Sequence, residues 1–206
     1  TGPVGRLNVD EESGYRAGVM LACSNCTSLV ASYTYFEGNT TDAIQATNGN
    51  VLNSQIVHPS TLTVGGADQG AFGVYGIDFQ LADLAYKHIW KTSNCSAINW
   101  LAGFRYGNMQ HAMLAVQEFA VATGITAVDV DVNFDGFGML FGVEAERRSC
   151  HSGLMIYGKG LSSFLAGDWR GRYTQVNQFG GGVVANEYED YRVTPVVELE
   201  LGLGWQ

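Results

Sequence analysis

The chain has 206 residues, the size of one domain spanning residues 1–206, and its 27 glycines, 3 prolines and 12% aromatic residues are typical of β structure. No run approaches the roughly 18 consecutive apolar residues of a spanning helix, so this chain could cross a membrane only with strands. The net charge of −9 comes without a basic stripe, which excludes nucleic acid as a partner.

The first regular pattern is a predicted hairpin near the start of the chain. Apolar residues alternate with polar or small ones from Ser13, and the alternation resumes after a tight reversal at residues 23–26. The segment 37–70 that follows has no sustained period, so we expect a long loop there. The apolar positions of the hairpin are Tyr15, Ala17, Val19, Leu21, Leu29, Ala31, Tyr33 and Tyr35.

Two further alternating segments follow in the middle of the chain. In the first, Asp78 lies opposite an apolar row, and the apolar parity changes near Asp83, which predicts a β-bulge. After a turn at residues 91–96, the second segment places Arg105 opposite its apolar row. We expect 107–126 to be another long loop, in which residues 110–124 fit either a short helix or two sides of an extended loop.

An acidic row marks the next segment. Asp129, Asp131 and Asp135 alternate with valines and Phe134, and the apolar parity then changes at Asp135 and Gly136. This dipeptide fits a bulge in one long strand or a two-residue hairpin turn, and both interpretations stay open. Beyond it, the polar parity is continued by Glu144 and Glu146.

The last segment of the chain has the clearest strand pattern. After a strand at 154–169 and a long loop at 170–190, residues 191–205 read YRVTPVVELELGLGW. One face is apolar and bounded by Tyr191 and Trp205, as in a lipid-facing barrel strand, while Arg192, Glu198 and Glu200 lie on the other. The strands of a soluble β-sandwich alternate in the same way. Only features that repeat along the chain can therefore distinguish a membrane barrel from a sandwich.

The lengths of the connections supply that repetition. Short turns at 23–26, 91–96 and 148–152 alternate with the long loops at 37–70, 107–126 and 170–190, as in outer-membrane barrels. We therefore predict an all-β fold, an antiparallel up-and-down transmembrane β-barrel with at least seven strands. Because seven is odd, we expect the chain to be an incomplete portion of the barrel.

The four cysteines indicate whether the protein folds in an oxidising or a reducing compartment. Cys23 and Cys26 could be half of a zinc site, but the chain has no second CxxC motif. If the short turns share one end of the barrel, disulfides Cys23–Cys26 and Cys95–Cys150 become feasible, and the compartment is oxidising.

Several short motifs, taken in order, resemble the Legionella-type major outer membrane protein family. They are GYRAG at 14–18, YTYF at 33–36, the strand with Asp78 and Asp83, GFRYG at 103–107, FDGFG at 134–138 with Gly142 after it, and Tyr157 with Gly158. The chain departs from the family pattern at Met139, where proline is usual, and at Gln206, where barrels commonly end on an aromatic residue. The resemblance implies a bacterial outer-membrane barrel with a porin-like role and no catalytic residues.

We therefore predict an outer-membrane pore for small polar solutes or ions, with membrane lipid as a partner and the possibility of a homo-oligomer. The residues expected to line the pore are Arg16, Asp78, Arg105, Asp129, Asp131, Asp135, Glu144, Glu146, Arg192, Glu198 and Glu200. Eight of them are acidic and three are basic, which predicts a preference for cations.

Other functions remain as alternatives. A surface-structural or adhesive barrel with a plugged lumen would share every strand feature, whereas a soluble ligand-binding barrel would need an apolar interior. Asp131, Asn133 and Asp135 match the first half of a calcium loop, but Gly142 stands where the loop needs glutamate, so we predict no metal or other cofactor. No HExxH or GxSxG motif nominates an enzyme.

Overall fold

The computed structural model describes residues 12–46, 70–119, 124–149, 152–177 and 182–205, and these residues form seven strands. Within these ranges no helix is long and apolar enough to cross a membrane. The strands are β1 (Gly14–Ser24), β2 (Thr27–Gln45), β3 (Gly70–Ser93), β4 (Ser96–Phe119), β5 (Gly124–Arg148), β6 (Leu154–Asn177) and β7 (Gly182–Trp205).

The strands form one sheet in chain order, and each is antiparallel to the next. The predicted all-β, up-and-down fold is therefore confirmed. β1 and β7 have no backbone pairing with each other in the described residues, so the sheet is an open one. We call the end at residues 25–26 and 94–95 the turn end and the opposite end the loop end.

Strand pairing divides the side chains between two faces. The outer face carries Leu199, Leu201 and Leu203 of β7, which are 74–88% exposed. The inner face carries Leu81, Leu140 and Leu165 from three other strands, all of which are at most 2% exposed. Because ion pairs also join inner-face residues of β1 and β7, the sheet is rolled around this inner face.

The strands extend further toward the loop end than the sequence pattern indicated. β2 continues to Gln45, β4 continues to Phe119, and β7 begins at Gly182, so large parts of the predicted loops 37–70, 107–126 and 170–190 are strand. The helix or extended loop expected at 110–124 is wrong for residues 110–119, because residues up to Glu118 pair with both neighbouring strands; residues 120–123 lie outside the described residues.

The two predicted changes of strand parity have a common cause. Pairing is continuous at Asp83 and at Asp135, and the bulge in β3 lies instead between Ile89 and Lys91. No hairpin turn or bulge interrupts β5. The polarity of the two faces is exchanged at this height, since apolar residues move from the outer face to the inner face while the backbone continues unchanged.

This exchange divides the sheet into two zones. In the belt, toward the turn end, the outer face is apolar. In the collar, the outer face next to the belt is polar, and exposed apolar residues such as Phe72, Ile125 and Val183 return only near the loop end. The belt comprises 16–24, 27–34, 81–93, 96–107, 136–148, 154–167 and 192–205, and the collar comprises 35–45, 70–80, 108–119, 124–135, 168–177 and 182–191.

Aromatic residues mark both limits of the belt on the outer face. Trp90 and Trp205, near the turn end, are 74% and 77% exposed. At the other limit the hydroxyl of Tyr106 donates to Asp135 of the collar at 2.8 Å, so its ring lies on the belt and its polar end on the collar. An apolar band between two aromatic girdles is typical of a barrel strand set in lipid.

Glycine permits close backbone contact on the inner face of the belt. A Cβ atom at Gly138 would lie 1.8 Å from the carbonyl oxygen of Phe164, and one at Gly103 would lie 2.1 Å from that of Leu84. Both distances are far shorter than a van der Waals contact, so no other residue fits without moving a strand. These glycines belong to the FDGFG and GFRYG motifs.

One predicted disulfide is wrong and the other stays a prediction. Cys23 and Cys26 are both free and exposed. Cys23 lies inside β1, where a register shift between Ala22 and Ser24 interrupts the pairing, and its Sγ is 3.7 Å from the carbonyl oxygen of Leu21. Cys150 lies outside the described residues.

Thiol labelling of the unreduced protein should therefore divide the cysteines into two pairs. The N–H of Arg148 donates to the carbonyl oxygen of Cys95 at 2.7 Å, which leaves only one residue between this contact and Cys150 in sequence. We expect an alkylating reagent to label Cys23 and Cys26 and mass spectrometry to find a linked Cys95–Cys150 peptide. Labelling of all four cysteines would contradict the second bridge.

Candidate functional site: an ion-pair cluster on the inner face

The most buried charged residue in the described part of the chain is Arg105, at the centre of the belt's inner face. Its side chain is 0% exposed and forms a two-point contact with Asp83, Nε to Oδ1 at 2.6 Å and Nη2 to Oδ2 at 2.8 Å. Its Nη1 atom donates to Ser163 Oγ at 3.3 Å and also pairs with Glu198. One guanidinium on β4 thus connects β3, β6 and β7 across the interior.

Arg16 extends this arrangement to the first edge of the sheet. Its guanidinium lies 2.8 Å from Glu198 and 3.6 Å from Glu200, both on the opposite edge strand β7. It also lies 3.7 Å from Asp83. The side chains are 29% exposed for Arg16 and 41% for Glu200, against 0% for Arg105, so the cluster is open to solvent on its β1 and β7 side.

Two lysines complete the cluster toward the turn end. The Nζ atom of Lys87 lies 2.6 Å from Glu144, and Lys159 stands directly opposite Glu144 and Glu200 in the strand register. The ion-pair cluster therefore contains four carboxylates and four cations, of which three cations form ion pairs and Lys159 is placed by the strand register. Its members are Asp83, Glu144, Glu198, Glu200, Arg16, Lys87, Arg105 and Lys159.

The register decides which predicted pore-lining residues share a face. The inner face holds Arg16, Arg105, Glu144, Glu146, Arg192, Glu198 and Glu200. The outer face of the collar holds Asp78, Asp129, Asp131 and Asp135, so the prediction that all these acids share one face is wrong. The error came from the assumed bulges, since an uninterrupted strand keeps one parity throughout.

Sequence reasoning missed four members of the inner network. Asp83, Lys87, Lys159 and Ser163 lie on the inner parity and contact or face its charges. The apolar row of Leu84 and Tyr86 lies on the other parity and would have placed Asp83 and Lys87 on the inner face. Ser163 carries no such signal, because its importance comes only from Arg105 on another strand.

The outer acids of the collar form a separate surface. Asp129, Asp131 and Asn133 line an open groove of about 690 Å³ together with Arg170, Arg172, Glu187 and Glu189. Arg170 lies 3.3 Å from Glu189, with both side chains more than two-thirds exposed. Asp131, Asn133 and Asp135 occupy alternate positions of a regular strand instead of a calcium loop, and no metal-binding group of three is present among the described residues.

Several inner-face side chains of the collar are buried. Val128 and Phe134 are 1% and 3% exposed, and Gln175 is 0% exposed. The hydroxyl of Tyr75 lies 2.6 Å from Nδ1 of His111, and burial lowers the pKa of His111. On the side of the collar next to the belt, the hydroxyl of Tyr188 donates to Asp190 at 2.9 Å, and this hydrogen bond raises the pKa of Tyr188.

Comparison with known protein families gives one match over nearly the entire chain. The family model described as Legionella pneumophila major outer membrane protein precursor matches residues 2–206. No curated protein matches the chain significantly.

Proposed function

Because the chain belongs to the family of the Legionella pneumophila major outer membrane protein, and is therefore a protein of the bacterial outer membrane, we propose that it is a barrel with a filled interior. In this proposal the belt lies in the lipid and the collar projects from the outer surface, since long connections of such barrels face outward. Its role is structural or adhesive, and the charged outer face of the collar is the part presented to the surroundings.

The burial of inner-face side chains is the observation that supports this proposal. Leu81 is the inner-face neighbour of Asp83 on β3, Leu165 is the inner-face neighbour of Ser163 on β6, and both leucines are 1% exposed. In the collar, the inner-face residues Val128 and Gln175 are likewise buried, at 1% and 0% exposure. A barrel of about eight strands has an interior just wide enough for its own side chains, which fits this packing.

Solute flux through reconstituted protein tests the proposal. We expect liposomes that contain the purified chain to show no swelling in small sugars, because side chains from opposite walls meet in the interior. Empty liposomes and liposomes with an open porin provide the two controls. Steady sugar permeation by the unmodified protein would overturn the filled-barrel proposal in favour of a diffusion pore.

A second candidate function is an ion pore of low conductance. The observation that favours it is the ion-pair cluster itself, since a polar column inside a lipid-facing belt offers ions a path once the pairs separate. The predicted cation preference loses its basis, because four carboxylates in the cluster face four cations. Under a salt gradient we expect any current to reverse near zero potential.

A further inference from the structure

Two cations lie on the outer face of the belt near the turn end. Among the described residues, Lys91 and Arg147 are the only lysine, arginine, aspartate or glutamate on this face of the belt, and both are exposed. The described strands place no carboxylate beside them on that face. The lipid-facing surface therefore has a local positive charge at the turn end.

A bulge in β3 places Lys91 on the outer face. Odd-numbered residues of β3 such as Asp83 face inward, and an uninterrupted strand would send residue 91 inward as well. The pairing with β4 shifts between Ile89 and Lys91, so Trp90 is an extra residue and Lys91 stands opposite Ile98. Because two residues of a bulge oppose one residue of the partner strand, the parity changes there. Lys91 therefore shares the outer face with Ile98 and Trp90.

Arg147 lies near Lys91 across one intervening strand. Lys91 on β3 stands opposite Ile98 of β4, and Arg147 on β5 stands opposite Ser96 of β4. The two cations are thus two interstrand spacings and two residues apart, or about 12 Å between their Cα atoms. Both side chains have long flexible stems, so their charged ends can meet at one anion over β4.

Neither cation has an acidic partner within the described residues. Arg148, next in sequence to Arg147, lies 3.0 Å from Glu146 on the inner face. On the outer face of the collar, Arg170 lies 3.3 Å from Glu189. The two outer cations of the belt differ from these arginines, because their counter-ion has to come from the surroundings.

Apolar residues adjoin both cations. Trp90, next to Lys91, is 74% exposed, and Ile156, opposite Arg147, is 55% exposed. Val143, further toward the centre of the belt, is 50% exposed. Tryptophan rings concentrate at the height of lipid headgroups. A phosphate group held by the two cations would leave its acyl chains beside these apolar side chains.

We propose that Lys91 and Arg147, together with Trp90, form a binding site for a phospholipid with an anionic headgroup in the leaflet at the turn end. The headgroup phosphate lies between the two cations, and the acyl chains lie along the belt. A soluble anion would use the two charges but not the apolar surface beside them, so a lipid fits the whole site. This inference rests on the part of the proposed function that places the belt in lipid, and not on the filled interior.

The opposite limit of the belt has the reverse charge. On the outer face there, Asp135 stands directly opposite Asp168, and Glu37 stands directly opposite Asp78. These carboxylates repel an anionic headgroup. The preference for anionic phospholipid is therefore confined to the leaflet at the turn end.

Lipid binding to the purified full chain in detergent tests the proposal. Native mass spectrometry compares phosphatidylglycerol, which is anionic, with phosphatidylcholine, which is zwitterionic. We expect the unmodified protein to bind phosphatidylglycerol more tightly. Lys91→Gln and Arg147→Gln should each weaken this binding about five-fold and leave phosphatidylcholine binding unchanged, whereas Lys91→Arg should preserve the preference.

A charge-matched variant separates the site from the total charge of the protein. Lys91→Thr combined with Thr92→Lys moves the cation to the inner parity, because Thr92 stands opposite Ala97. The net charge is unchanged, yet phosphatidylglycerol binding should fall as much as in Lys91→Gln. Arg170→Gln in the collar is the second control and should leave the binding unchanged. The folded band on an unheated gel shows that each variant retains its fold.

The outcomes distinguish a failed lipid site from a misplaced belt. Equal affinity for the two lipids, or equal losses for Lys91→Gln and Arg170→Gln, would overturn the proposal in favour of a charged surface without a defined site. In liposomes, quenching of tryptophan fluorescence by brominated phosphatidylcholine tests the belt alone, since Trp90 and Trp205 are exposed on its outer face. Quenching without a phosphatidylglycerol preference would refute only the site, whereas absence of quenching would refute both the site and the position of the belt in lipid.

Discussion

Replacing Arg105 by methionine should destabilise the protein by about 3–5 kcal/mol, the cost of leaving buried carboxylates without their cation. The guanidinium is 0% exposed and contacts Asp83, whose side chain is 6% exposed. Methionine fills much of the same volume, so the lost charge and not a cavity dominates the change. Chemical unfolding in lipid, followed by tryptophan fluorescence, measures the free energy of unfolding.

The chain offers a matched control in the collar. Arg170 pairs with Glu189 at 3.3 Å, but both side chains are more than two-thirds exposed. Arg170→Met should therefore change stability by at most about 1 kcal/mol. Equal losses for the two variants would show that the buried cluster has no special energetic role.

A compensating variant separates charge from shape. Replacing Asp83 by asparagine and Arg105 by methionine together removes the facing charges, and this double change should recover part of the loss from Arg105→Met alone. Recovery will be partial, because Arg105 also contacts Ser163 and Glu198. If the double variant is less stable than Arg105→Met, Asp83 has a partner more important than Arg105.

Strand alternation predicted the belt well because lipid imposes a strict rule on its outer face. Any charge there is costly, so every second residue of β7 from Val197 to Trp205 is apolar. The collar lacks this constraint, since water covers its outer face and its inner face packs against itself. The apolar residues of the collar therefore occupy the other parity of each strand. In the sequence pattern, this change of parity within an uninterrupted strand resembled a bulge at Asp135.

The contacts of the ion-pair cluster could not be predicted in the same way. Arg105 and Glu198 lie on strands three places apart in the sheet, and only the rolling of the sheet brings them together. Alternation assigns a side chain to one face of the sheet. It does not give the position of that side chain along the barrel axis or the curvature of the sheet, and both are needed to predict a contact between distant strands. The inner-face position of Asp83 could have been predicted from the sequence, because the apolar row of Leu84 and Tyr86 lies on the opposite parity.

The height of the belt also determines where an arginine can be tolerated on the outer face of β7. Leu201 is 88% exposed, so Leu201→Arg removes little packing, and its cost comes from placing a charge in hydrocarbon. We expect a loss of about 2–4 kcal/mol in unfolding free energy measured in lipid. Gly202 is a poor comparison, because a Cβ atom there would lie 2.4 Å from the Tyr157 ring.

Val183 is the better comparison, since it lies on the same strand and face as Leu201 and is 66% exposed, but in the collar. Val183→Arg should change the free energy of unfolding by no more than about 0.5 kcal/mol, because water surrounds this position. The difference between the two variants thus measures the lipid environment and not the side chain. A similar cost at both positions would mean that the belt does not lie in hydrocarbon, and the assignment of the two zones would have to be abandoned.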